Sequence, residues 1–74
     1  MEQIILKIIN EIRASKELAP VQSIDAGTRL REDLSLTSFD LAELTVKIED
    51  EFDIDIFENG LVNTIGEIFE KLHK

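Results

Sequence analysis

Cysteine is absent from this 74-residue chain, which excludes disulfides, thiolate metal sites and a thiol nucleophile. The chain therefore needs no oxidising compartment, and any thiol chemistry has to come through an added group. Tryptophan and tyrosine are also missing and only four phenylalanines are present, so isoleucine and leucine must carry the core. A chain this short buries only roughly 60% of the surface its unfolded form exposes, which leaves a thin margin of stability. No apolar run approaches the roughly 18 residues of a bilayer span. Met1-Glu2-Gln3 offers no basic leader region, so neither a membrane segment nor a signal peptide is expected and the expected location is cytoplasmic.

Positive charge is scarce as well, with 8 basic residues against 16 acidic ones and a formal net charge of -8. Too few cations are available to displace phosphate counterions, which argues against nucleic acid as a partner. Long-range steering toward basic patches on other proteins suits such a chain, although negative charge also serves simply to keep a small domain soluble. The only histidine is His73, near the end of the chain. With no cysteine, and no element that would push paired carboxylates apart in pKa, catalysis by the bare chain is not expected. His73 is assigned no function.

What the chain does contain is helical periodicity. From Glu2 to about Ala14, Ile4, Ile5, Ile8, Ile9 and Ile12 fall on one face, with Lys7, Asn10 and Glu11 opposite. Five β-branched residues lower the intrinsic helix propensity, so this segment should depend on burial. Its polar face lacks the Lys/Arg cluster of a membrane-surface helix. From about Ser15 to Thr37 runs a long connection with Pro20 and Gly27. A structureless loop of that length would count against a small domain, but Leu18, Val21, Ile24, Leu30, Leu34 and Leu36 provide residues to pin it down.

A second helix is predicted from about Ser38 to Phe52, with Leu41, Leu44, Ile48 and Phe52 facing the core. Thr37 reads as its N-cap, with Asp40 three residues on as a weaker form of the usual Glu or Gln. Ser38 then becomes the first helical residue, its hydroxyl not consumed by the cap. Unpaired N–H groups and the macrodipole at that end favour a bound or attached anion, and a phosphodiester on Ser38 would suit the position. Phe39, Ala42 and Val46 cluster away from the core side, rimmed by Glu43, Glu49, Asp50 and Asp53. Single exposed apolar residues are ordinary, yet three aligned beside Ser38 have the layout of a docking face for a partner with an apolar groove and basic edges. Lys47 interrupts the acidity.

Asp53-Ile-Asp-Ile56 alternates like a strand, but four residues with no partner strand read better as an extended link, with Ile54 and Ile56 turned inward. An EF-hand loop starting at Asp53 would need an oxygen ligand at its fifth place and glycine at its sixth, where Phe57 and Glu58 stand. No dedicated metal site is expected. Phe57 to Val62 is expected to hold a turn or a short helix, because Asn59-Gly60 is a turn signal. Thr64-Ile-Gly-Glu67 fits a capping box opening a last helix with Ile65, Ile68, Phe69 and Leu72 on one face. Gly66 would cost a helix interior about 1 kcal/mol relative to alanine, less near a fraying end, and leaves room for a close helix contact.

The stretch Leu34-Ser-Leu-Thr-Ser38-Phe-Asp, followed by Glu43-Leu and Glu49-Asp-Glu-Phe-Asp-Ile-Asp-Ile56, resembles an acyl carrier protein around its phosphopantetheine-attachment serine. The resemblance extends over nearly the whole chain. The family's serine usually sits in an Asp-Ser-Leu triplet, where this chain has Thr37-Ser38-Phe39, and Ser35 stands where the family often has glycine. The resemblance implies an all-α fold, a small three- to four-helix bundle with a long loop between its first two helices, forming a single carrier domain over residues 1–74. It also implies a covalent 4'-phosphopantetheine arm on Ser38, derived from coenzyme A, whose thiol holds acyl groups as thioesters. Leu44, Ile48, Ile54, Ile65 and Phe69 would shelter an apolar acyl chain. The acidic helix, through Phe39, Asp40, Glu43, Val46, Glu49 and Asp50, would dock a phosphopantetheinyl transferase and then acyl-transferring or ketosynthase-type enzymes of fatty acid, polyketide or related biosynthesis. The expected carrier is a non-enzymatic monomer that meets neither nucleic acid nor membrane. The alternative is an unmodified acidic helical adaptor that binds a basic protein partner.

Overall fold

The computed structural model describes residues 2–56 and 62–72, which form three helices: α1 (Glu2–Ser15), α2 (Ser38–Phe52) and α3 (Ile65–Leu72). Among the described residues the only extended pairing is an isolated antiparallel bridge between Arg29 and Thr64. The fold is all-α, and Asp53 to Ile56 form the expected link rather than a strand. Ile56 is fully buried, whereas Ile54 is only half-buried. The turn or short helix expected over 57–62 falls mostly on residues 57–61, outside the described residues, and so does His73. Val62, which is described, is buried.

Ile5, Ile8, Ile9 and Ile12 of α1 pack in one core with Leu41, Leu44 and Ile48 of α2 and Ile65 and Ile68 of α3. Each such side chain contributes roughly 1.5–3 kcal/mol on full burial, which offsets the poor intrinsic propensity of an isoleucine-rich helix. Ile4 departs from the expected stripe and is 38% exposed. It sits in the first turn of α1, at the end of the bundle. Phe52, Phe69 and Leu72 are partly buried against the core.

α1 ends in a Schellman arrangement, with Leu18 N–H donating to the Arg13 carbonyl (2.9 Å), Glu17 N–H donating to Ala14 (3.0 Å), and Glu17 in the left-handed region at φ 62°. The connection that follows is held on both sides. Ile24, Leu30, Leu34 and Leu36 are buried in the core, while Leu18 and Val21 are half-buried. The Asn10 amide accepts from Val21 N–H (2.9 Å) and donates to its carbonyl (3.2 Å). Arg13 donates to the carbonyls of Ala19 (3.0 Å) and Leu34 (2.6 Å). Two side chains on the nominally polar side of α1 thus satisfy backbone groups that the loop's own path leaves open.

The loop also docks against the start of α3. Leu30 N–H donates to Asn63 (2.9 Å), Ile65 N–H to Thr28 (2.9 Å), and Gly66 N–H to Ala26 (3.0 Å). A Cβ on Gly66 would lie 2.9 Å from the Ala26 carbonyl oxygen and 3.1 Å from its Cβ, so glycine permits the approach. Thr64 caps α3 as its spacing predicts. Its hydroxyl accepts from Glu67 N–H (3.3 Å), and the Glu67 carboxylate accepts from the N–H groups of Thr64 (3.0 Å) and Asn63 (2.9 Å).

Candidate functional site

The first residue of α2 is Ser38, and the cap that starts the helix is Thr37, as the spacing predicts. Thr37 has extended backbone (φ -91°, ψ 178°) and its hydroxyl accepts from Asp40 N–H at 3.3 Å. The Asp40 carboxylate reaches back to Thr37, accepting from its N–H at 2.8 Å and from its hydroxyl at 3.0 Å. A third donor completes the group, since Lys16 at the end of α1 brings its ammonium to 2.5 Å from the same carboxylate oxygen and 2.7 Å from the Ser35 carbonyl.

Asp40 is buried. Burial alone would push its carboxyl up, but the Lys16 ammonium and the Thr37 donors outweigh that and hold it below the usual carboxylate range. It is therefore set apart from the other residues expected on the docking face. Its carboxylate points back into the cap, while Phe39, Ala42, Glu43, Val46, Glu49 and Asp50 are all exposed. Phe39 is 88% exposed and Val46 58%, and the two line one side of α2 with acidic neighbours around them. Lys47 approaches Glu43 at 4.0 Å, which softens the acidic rim on one side only. On the opposite side of α2, Leu44 and Ile48 are fully buried, as is Ile65 of α3, while Ile54 and Phe69 are half-buried.

Because Thr37 performs the capping, the Ser38 side chain remains exposed at the helix end. Its hydroxyl oxygen accepts a hydrogen bond from Arg31 Nη2 at 2.9 Å. The cation at that oxygen comes from the loop seven residues upstream, and nothing in the helical periodicity identifies it. Lys16 is similarly hidden in the sequence, where it follows α1 without any motif. An exposed alcohol at a helix N-terminus, with a guanidinium against its oxygen, is a fit place for a phosphodiester. The positive helix end and the cation favour its charge, and exposure gives a modifying enzyme access.

Among the described residues no group of three or more carboxylate or imidazole side chains converges to hold a metal ion. No helix of the described residues is long and apolar enough to cross a membrane.

The family of the phosphopantetheine attachment site matches residues 6–70. The chain is 38% identical over 58 residues to the mitochondrial acyl carrier protein of Saccharomyces cerevisiae, a match covering 74% of this chain and 46% of that protein. It is 32% identical over 68 residues to an acyl carrier protein of Saccharopolyspora erythraea, covering 89% of this chain and 72% of that one. No solved structure matches it. With the family match running from the first helix to the last, the chain belongs to the acyl carrier proteins, the family built around a phosphopantetheine attachment site.

Proposed function

We propose that Ser38 bears the 4'-phosphopantetheine arm and that the chain carries acyl intermediates on it as thioesters, presenting them to the enzymes of fatty acid, polyketide or related biosynthesis. One observation carries this reading. Ser38 opens α2 with an exposed hydroxyl that the cap does not use, because Thr37 does the capping. The arm supplies the thiol that a cysteine-free chain lacks. Acyl carrier proteins are carriers rather than enzymes, and the protein's own residues hold and position the arm without catalysing acyl transfer.

The exposed Phe39, Ala42 and Val46 with Glu43, Glu49 and Asp50 form the surface we assign to docking. Its complement is an apolar groove with basic edges, on a phosphopantetheinyl transferase and on the acyl-transferring or ketosynthase-type enzymes that follow. Asp40 serves this face from beneath, by fixing where α2 starts and so where Ser38 and Phe39 stand. An apolar acyl chain would be sheltered where Leu44, Ile48 and Ile65 of the core meet the half-buried Ile54 and Phe69. The absence of cysteine suits the cytoplasm.

Incubation with a phosphopantetheinyl transferase and coenzyme A, read by intact mass, tests the attachment. The expected result is a mass gain of one arm that Ser38→Ala abolishes. A gain that survives Ser38→Ala, or none with several such enzymes, would overturn the assignment and leave an unmodified adaptor as the better description.

A further inference from the structure

We propose that Arg31 is the arm's electrostatic anchor, its guanidinium holding the phosphodiester formed on Ser38 and so fixing the base of the arm against the loop. This rests on the reading that Ser38 carries the arm. Arg31 Nη2 already lies 2.9 Å from the oxygen that would become the ester oxygen. A phosphorus bonded there brings its anionic oxygens next to the same planar fork, which suits phosphate geometry.

The surrounding charges leave Arg31 to this role. Its nearest acidic neighbours in sequence, Glu32 and Asp33, are engaged by Arg29, at 2.5 Å and 3.4 Å. Asp33 additionally accepts from Arg29 N–H at 2.8 Å. Lys16, the other cation near the start of α2, is committed to Asp40 and the Ser35 carbonyl. Among the described residues, Arg31 forms no ion pair with a carboxylate. In a chain of net charge -8, an unneutralised guanidinium resting on the one hydroxyl that opens α2 is placed for an anion. Thr37 adds to this, because the residue immediately before Ser38 carries no carboxylate to compete for the cation.

The test compares melting temperatures of the apo and arm-bearing forms of the wild type, Arg31→Gln and Arg31→Lys, with modification driven to completion and verified by intact mass. A purely structural arginine would shift both forms equally. A phosphate anchor makes the increment from apo to arm-bearing protein larger in the wild type than in Arg31→Gln by about 2–4 °C, the size expected of one exposed charge-assisted pair in a chain this short. Arg31→Lys retains part of the excess, since it keeps the charge without the fork. The excess shrinks by about half or more toward 1 M NaCl, where screening acts over about 3 Å. Equal increments in wild type and Arg31→Gln would overturn the anchor while leaving Ser38 as the attachment point. No mass gain in the wild type would overturn both.

Discussion

Lys16 and Asp40 meet at 2.5 Å, joining the end of α1 to the start of α2 across 24 residues of sequence. Because Asp40 also accepts from Thr37, this single carboxylate ties the helix start, and therefore Ser38, to the rest of the bundle. Asp40→Ala leaves Thr37 N–H without its acceptor and the Lys16 ammonium with the Ser35 carbonyl alone. We expect it to cost about 1–3 kcal/mol, seen as a lower urea midpoint at unchanged slope. A midpoint within error of the wild type would show that water replaces the carboxylate without loss.

The same group gives an acid dependence. Its folded pKa is held low by Lys16 and Thr37 against the opposing effect of burial, so between the folded and unfolded pKa values the unfolded chain binds more protons. The stabilisation is fully present above the unfolded value, about 3.9, and is lost as pH falls through the folded one. Relief of self-repulsion acts in the opposite direction over the same range, so the comparison needed is wild type minus Asp40→Asn. That stability difference should be constant near neutral pH and should narrow below about pH 4. A difference independent of pH down to the acid transition would contradict the assignment.

Ser35 provides a test of backbone strain. It lies at φ 59°, a conformation that costs a non-glycine residue roughly 1–2 kcal/mol. Glycine removes that cost but adds about 0.5–1 kcal/mol of unfolded-state freedom. Ser35→Gly should therefore stabilise by about 0.5 kcal/mol net, provided that the Ser35 carbonyl keeps its bond from Lys16. Thermal melts of the two proteins decide it, and a lower melting temperature for Ser35→Gly would mean that the serine side chain contributes something the backbone argument omits.

Ser35 also shows what can be read from one sequence. Glycine at that place is implied by the resemblance alone, not by this chain's own residues, and φ 59° supplies a physical reason for it. Helix spacing fixed α1 and α2 because a buried face leaves a period, and Thr37 with Asp40 and Thr64 with Glu67 were legible because caps have fixed offsets. Asn10, Arg13, Lys16 and Arg31 were not. Each is a polar side chain in a pair with one member on the loop and the other six or more residues away, and that pairing is decided by the loop's path through space rather than by any local repeat. Asp40 was legible as a cap but not as buried, because its burial depends on where α1 ends.

Gly66 sets helix propensity against sterics. Alanine improves a helix interior by about 1 kcal/mol over glycine, which alone would make Gly66→Ala stabilising. Its Cβ, however, would stand 2.9 Å from the Ala26 carbonyl oxygen, an atom of backbone that also accepts the Gly66 N–H at 3.0 Å. The loop would have to back away, loosening the contacts of Thr28 and Leu30 with the start of α3. We expect a net loss of about 1–2 kcal/mol, and hydrogen exchange should show Ile65 and Gly66 amides less protected. A stabilised Gly66→Ala would show that the loop yields freely there.

Phe39 separates folding from docking. With 88% of its surface exposed, it contributes little to the core, and Phe39→Ser should change stability by no more than about 0.5 kcal/mol. At a docking face an exposed aromatic is a different matter, because a partner that buries it gains most of the binding energy from such anchors. Phe39→Ser, alone or with Val46→Ser, should therefore slow arm attachment about tenfold at limiting transferase, through a raised KM, while the melting temperature stays near that of the wild type. Glu43→Gln should act more weakly and mainly at low salt, since a rim charge governs encounter more than residence. Unchanged attachment kinetics in the Phe39 and Val46 variants would remove α2's exposed strip from the recognition surface.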